Sequence, residues 1–209
     1  MRESGFWGML DDSDRAALKA TARSRTFADK AILCLEGDSS THVFILVEGW
    51  VKIITSASDG REKLAALRGD GDVVGDIAQV AGHRTATVKA IRTVRALIVS
   101  PGQFGGFLDS HTEAARAYRH VTAEHERAAH SAQRSMALAS GPQRLAALLL
   151  ELDGADLPLS QEELASLIGA SRSTVTRALK DWRSRHIIAT RQGPVTILDP
   201  AALRRLADG

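Results

Sequence analysis

A chain of 209 residues, 44% of them hydrophobic, is long enough for one large domain or two small ones, each with its own core. Its densest apolar run, LAALLLEL from Leu145 to Leu152, falls far short of the ~20 residues a membrane span needs, and MRESGFWGML lacks the apolar centre of a signal peptide. The lone Cys34 excludes an internal disulfide, a Cys-rich zinc finger and a four-cysteine iron–sulfur cluster, and the expected location is the cytoplasm; the formal charge of +2 says little until its distribution is seen.

A short helix is expected over about Asp12–Ala22. From about Thr26 to Ser100 the chain reads as β structure, with HVFILVEG, WVKIITS and RALIVS split by turn signals. Gly37, Gly49, Gly60, Gly71 and Gly82 recur about every eleven residues, the rhythm of a sandwich or barrel of the jelly-roll kind. Asp59-Gly60 suits a hairpin turn. Cys34, inside AILCLEG, reads as a small buried apolar residue rather than a redox sensor. The run GDIAQVAGHRTATV, Gly75 to Val88, has a glycine and a carboxylate, a short apolar turn, then Arg84 and Thr85. Such a run can hold a phosphate; it can equally be an ordinary turn and the solvated start of a strand. A further short helix is expected over about Gln103–Asp109.

From about Thr112 to Ala139, Gly and Pro vanish and Ala, Glu, Arg and His dominate, as in one long helix. Tyr118, Val121, His125, Ala128, Ala132 and Ser135 form a heptad-like stripe of mostly small residues, which suits close packing against a second helix in a dimer better than a deep core. A helix lying on its own domain is the alternative. His120, His125 and His130 are five residues apart, turning about 140° per step, so they share no face and are expected to be solvated or at an interface rather than on a metal. Ser140-Gly141-Pro142 breaks the helix, with Pro142 suited to the first turn of the next. The expected divisions are therefore a roll over 1–111, a helix and hinge over 112–140, and a C-terminal domain over 141–209.

The C-terminal domain carries the sharpest motif, SQEELASLIGASRSTVTRALKDWRSRHII. Ser160 and Glu163 make a capping box, Leu164, Leu167 and Ile168 supply an apolar face, and Gly169 permits a tight turn. Ser171 can cap a second helix that buries Val175, Ala178, Leu179 and Trp182. Its opposite face holds Arg172, Ser173, Thr176, Arg177 and Lys180, the pattern of a helix-turn-helix. Between Arg172 and Arg191 the bases Arg172, Arg177, Lys180, Arg183, Arg185 and Arg191 face Asp181 alone. Arginine can pair bidentately with guanine, Ser and Thr can bond bases or phosphates, and Lys180, Arg183 and Arg185 suit backbone phosphates. The tail IIATRQGPVTIL resembles a hairpin wing turning at Gln192-Gly193-Pro194.

A β-roll, a long helix and a winged helix-turn-helix in that order resemble the Crp–Fnr family of transcription regulators, most sharply in EGDSSTHVFILVEGWVKI, GDIAQVAGHRTATV and IGASRSTVTRALKDW. The resemblance implies an α+β chain: a cyclic-nucleotide-binding-type jelly roll, a dimerisation helix over 112–139 and a DNA-binding domain. It implies a homodimer on a palindromic double-stranded site, with half-sites roughly 34 Å apart, gated by a small effector in the roll and working with RNA polymerase. It implies no prosthetic group and no membrane; the effector would be a cyclic nucleotide, cyclic AMP or cyclic GMP.

By position, Arg84 and Thr85 would hold the cyclic phosphate, helped by Gly75, Ile77 and the amides of a short Asp76–Val80 helix. Asp76 stands where cyclic-AMP-binding members have a glutamate on the ribose hydroxyl, and is one methylene shorter. The hydroxyl or amide pair that meets the purine maps onto Ala129 and His130. Arg172 and Arg177 match the base-reading arginines, with Ser171, Thr176 and Lys180 beside them, while Ser173 replaces a glutamate that accepts from cytosine. The cysteine cluster of oxygen-sensing members is absent, and nothing singles out a haem ligand. The alternatives are a family member that has lost nucleotide binding or senses another anion, and, from a different class, a cupin-like enzyme with a DNA-binding appendage. The latter needs a metal-binding His and carboxylate cluster, whereas the roll holds His42 and His83 with no His-x-His pair.

Overall fold

The computed structural model describes residues 5–56, 60, 62–152, 155, 157–190 and 194–209. The chain forms two compact units, Met1–Glu126 and Arg127–Gly209. Among the described residues no helix is long and apolar enough to cross a membrane.

The first unit runs α1 (Phe6–Met9), α2 (Asp12–Thr21), β1 (Arg23–Phe27), β2 (Ile32–Cys34), β3 (Val43–Ser56), β4 (Glu62–Arg68), β5 (Val73–Val74), α3 (Ala78–Ala81), β6 (Thr87–Val99), α4 (Pro101–Ser110) and the first part of α5 (Thr112–Leu138). The strands form one antiparallel sheet in the order β1-β6-β3-β4, with β2 also on β6 and β5 also on β3. Side chains alternate across a strand, and here both faces find a core. Val43, Ile45, Val73, Leu97 and Val99 join Phe6, Leu18, Phe104, Ala114 and Val121 in a layer between sheet and helices. Phe44, Leu46, Val74, Val94 and Ala96 point the other way, into a roll interior shared with Phe27, Cys34, Val51 and Val88.

HVFILVEG and WVKIITS prove to be one strand, β3, rather than two separated by a turn. Gly49 instead marks an irregularity, where the register with β6 shifts on either side of Glu48. It has φ +98°, and an added Cβ would lie 2.6 Å from the Thr93 carbonyl oxygen. Its N–H donates to Asp70 Oδ1 at 2.6 Å, so the disturbed ladder still satisfies that amide. The other glycines of the series, Gly37, Gly60, Gly71 and Gly82, also have positive φ. Strand structure begins at Arg23, slightly before the expected start. Asp59 of the expected hairpin turn lies outside the described residues.

Helix α5 starts where expected but divides the stripe assigned to a partner helix. Val121 is buried in the roll's core layer and Tyr118 packs against it, because Phe6 and Phe104 offer their rings edge-on at centroid distances of 6.0 and 5.2 Å. From Glu126 to Arg134 every residue is exposed, including Ala128 and Ala132.

The second unit adds α6 (Gly141–Glu151), α7 (Gln161–Leu167), α8 (Arg172–Ser184), β7 (Ile188–Thr190), β8 (Val195–Ile197) and α9 (Pro200–Asp208). Its core is Leu145, Leu149, Leu164, Ile168, Val175, Leu179, Trp182, Ile188 and Leu203 with their neighbours. Pro142 sits in the first turn of α6, which Ser140 and Gln143 cap reciprocally. β7 and β8 pair as an antiparallel wing, while Gln192 and Gly193 of its expected turn lie outside the described residues. Helix α9 is not among the expected elements. Asp199 caps it by accepting from the Ala202 N–H at 2.9 Å, Pro200 starts it, and Leu203 is fully buried.

Candidate effector site and nucleic-acid interface

The segment from Gly75 to Val88 leaves the sheet at β5 and returns to it as β6. Gly75 has φ +81°, and a Cβ there would stand 2.5 Å from Arg84 Nη1, so only glycine lets the arginine pass. Arg84 is 2% exposed. Its Nη1 donates to the Gly75 carbonyl at 2.9 Å, Nη2 to the His42 carbonyl at 2.8 Å and Nε to Ser40 Oγ at 3.1 Å. The guanidinium lies 5.3 Å from the centroid of the Phe44 ring. These bonds use three of its five N–H donors. All the acceptors are neutral, and among the described residues no carboxylate lies within ion-pair distance of this buried cation.

The helical turn at the middle of the segment is shorter than the expected Asp76–Val80. Helix α3 begins at Ala78, with Ile77 as its N-cap, so Asp76 and Ile77 precede it. Ile77 is 63% and Val80 94% exposed. Thr85 is exposed beside the buried Arg84. Asp76 already has a partner within the chain: Tyr118 Oη donates to its Oδ2 at 2.6 Å. Burial first, then the Asp76 carboxylate, holds the Tyr118 phenol well above the ordinary tyrosine range, so it stays a donor. Ala129 and His130, expected at the base end of a ligand, are exposed residues of α5 within the second unit.

Two contacts were not anticipated from the sequence. His125, expected to be solvated or at an interface, lies with Nε2 3.3 Å from Oδ1 of the buried Asp72, whose other oxygen accepts from the Gly69 N–H at 2.8 Å. Tyr118, Val121 and His125 share one helical face, so the stripe itself was the signal; spacing alone does not say what that face meets. In the second unit, Arg144 donates to the carbonyls of Ser135 in the last turn of α5 and of Ala139 just beyond it, and to those of Ile168 at 2.7 Å and Gly169 at 3.2 Å. It thereby satisfies the exposed acceptors of two helix ends.

The helix-turn-helix follows from local chemistry. Ser160 and Glu163 cap α7 reciprocally, Gly169 turns the chain at φ +58°, and Ser171 Oγ accepts from the Thr174 N–H at 3.2 Å to start α8. Val175, Ala178, Leu179 and Trp182 are buried, while Ser171, Arg172, Ser173, Thr176, Arg177 and Lys180 are exposed. Three hydroxyls are already engaged: Thr176 Oγ1 donates to Gln161 Oε1 at 2.6 Å, and Ser171 Oγ lies 2.8 Å from Ser173 Oγ. Between α8 and the wing runs a groove of about 310 Å³ in which Lys180 and Arg183 stand with Gln161, Thr176 and Thr190 beside the apolar Leu159, Leu164, Leu179 and Val195; its two cations suit contact with a phosphate backbone.

Comparison with known proteins finds a family domain in each half of the chain. Residues 24–111 match the model of the cyclic nucleotide-binding domain, and residues 143–206 that of the Crp-like helix-turn-helix domain. The chain is 29% identical to a CRP-like cAMP-activated global transcriptional regulator of Mycobacterium tuberculosis, over 99% of this chain and 98% of that protein. It is 25% identical to the cyclic AMP receptor protein of Thermus thermophilus, over 98% and 96% respectively. Among solved structures, FixK2 from Bradyrhizobium japonicum superposes with a TM-score of 0.75 at 22% identity, over 88% of this chain and 96% of that one. The c-di-GMP responsive regulator CLP of Xanthomonas campestris gives 0.74 at 20% identity, over 90% and 99%. These relatives are regulators of transcription, which sets the cupin-type enzyme aside. A cyclic-nucleotide-binding roll followed by a Crp-like helix-turn-helix makes this chain a member of the Crp–Fnr family of transcription regulators.

Proposed function

We propose that the protein is a homodimeric, sequence-specific regulator that binds palindromic double-stranded DNA and is gated by a small anionic effector in the roll, a cyclic nucleotide such as cyclic AMP or cyclic GMP. The observation that carries the effector reading is Arg84, a buried cation surrounded by neutral acceptors. Burying a charge is costly unless an opposite charge compensates it, and a cyclic phosphate supplies that charge. Gly75 and Ile77 would border the phosphate, Thr85 would add a hydroxyl, Asp76 would accept from a ribose hydroxyl, and His130 is the candidate for the base. Dimerisation through 112–139 is supported by α5 itself: the exposed Glu126–Arg134 stretch carries Ala128, Ala129 and Ala132, small enough for a close helix crossing. In the DNA complex Arg172 and Arg177 would read guanines, Ser171, Ser173 and Thr176 would meet bases or phosphates, and Lys180 would hold the backbone. RNA polymerase is the further partner expected of such a regulator.

Isothermal titration with cyclic AMP and cyclic GMP tests the effector. Saturable binding is expected for the native chain and its loss for Arg84→Ala; unchanged binding by the variant removes the phosphate assignment. A second reading, a roll that no longer takes nucleotide, is favoured by the internal bonds of Arg84 and Asp76 and by Ala129 at the base end. It requires equal affinity for a palindromic duplex with and without nucleotide.

A further inference from the structure

The segment Asp72–Asp76, which contains β5, is fastened to α5 at both of its ends. Asp72 pairs with His125, and Asp76 accepts from Tyr118. The two helix residues are seven apart, about 10 Å along the axis, and lie on one face with Val121 between them in the core. Asp76 is also the carboxylate assigned to the effector's hydroxyl. Its short side chain must reach outward from a chain that Gly75 and the Arg84–Gly75 bond hold in place.

We propose that the Tyr118–Asp76 hydrogen bond is an internal latch that competes with the effector, so that a ligand hydroxyl engaging Asp76 displaces Tyr118 and loosens the first part of α5 from the roll. The inference rests on the reading that Asp76 binds the effector. Tyr118 is the stronger claimant in the free protein, because its ring is fixed by Phe6 and Phe104 and pays little entropy to present the hydroxyl. A bound hydroxyl takes over the same acceptor only when the rest of the ligand, held at Arg84, offsets the lost bond. Occupancy of the cassette is thereby linked to the anchoring of the helix that continues toward the DNA-binding domain. Because the link is thermodynamic, it acts equally in both directions.

Tyr118→Phe keeps the ring and removes the hydroxyl. The latch predicts that this variant binds cyclic nucleotide about three- to tenfold more tightly than the native chain in isothermal titration. Without ligand, its amides over 114–122 should exchange hydrogen at the rate the native protein reaches when saturated. Unchanged or weakened binding by Tyr118→Phe, with Asp76→Ala weakened, overturns the latch and leaves Asp76 as a ligand. Full affinity in Asp76→Ala, or no nucleotide binding by the native chain, overturns the assignment of Asp76 to the effector and the latch with it.

Discussion

Arg84 reaches the main-chain carbonyl of His42, with Nη2 2.8 Å from the oxygen, and so ties together two segments 42 residues apart in sequence. The same guanidinium closes the turn at Gly75 and meets Ser40. It is a structural tie and a buried positive charge at once. Removing it takes the donor from three part-buried hydrogen bonds, to Ser40, Gly75 and His42. Arg84→Ala is therefore expected to destabilise the protein by about 1–3 kcal/mol in urea unfolding, besides losing nucleotide. Arg84→Lys keeps the charge but cannot span three acceptors, and should recover stability only in part. Native stability in Arg84→Ala would show that these bonds add nothing to the fold.

Tyr118 is the chain's single tyrosine, so its ionisation can be followed without overlap from other phenols. A free phenol titrates near pH ~10. Burial and the Asp76 carboxylate raise that value in the folded protein. A raised acid contributes stability that is complete below the unfolded value and is lost as pH climbs toward the folded one. The tyrosinate band should thus stay absent past pH ~10 and emerge together with unfolding. Stability of Tyr118→Phe should fall less steeply over the same alkaline range. A reversible native titration near the free-phenol value would contradict the Tyr118–Asp76 hydrogen bond.

Cys34 is buried in the roll interior, and desolvation is the largest influence on its thiol, raising its pKa. Only the thiolate reacts with alkylating reagents. Iodoacetamide at neutral pH should label Cys34 slowly in the folded protein and rapidly in denaturant, with labelling tracking the unfolded fraction. Fast labelling under native conditions would place the thiol at the surface.

What was legible in the sequence is what neighbouring residues decide among themselves. The capping box of Ser160 and Glu163, the positive-φ turn at Gly169 and the buried stripe ending in Trp182 are local, and each appears as expected. The glycine rhythm was legible too, although at Gly49 the positive φ serves a disturbed ladder within one strand rather than a turn between two. The candidate cassette was recognisable as a run, but not the direction of its side chains. Where Arg84 points depends on Ser40 and His42, and what Asp76 meets depends on Tyr118, 42 residues further on. Spacing reports only that the residues of the α5 stripe share a side, and leaves open whether the roll or a second helix meets it. Tyr118 and His125 turn inward because the roll offers two aspartates at matching separation. Helix α9 carried a local signal in Asp199-Pro200 that the adjacent wing obscured.

The recognition helix permits the sharpest separation of roles. Arg177 and Lys180 are both exposed on α8, yet they are expected to act differently on DNA. A bidentate arginine–guanine pair discriminates by about 1–3 kcal/mol, so Arg177→Ala should lose roughly 5- to 150-fold in affinity for its palindromic site and little for unrelated duplex. Lys180 borders the groove toward the wing with Arg183 and Thr190, a position for phosphate contact. Lys180→Ala should weaken specific and non-specific binding alike and lower the salt dependence by about one phosphate contact per subunit. Fluorescence anisotropy over a salt series, with matched and scrambled duplexes, measures both effects. If Arg177→Ala lost affinity equally for every duplex, the arginine would be a backbone contact and base reading would have to pass to Arg172 and its hydroxyl neighbours.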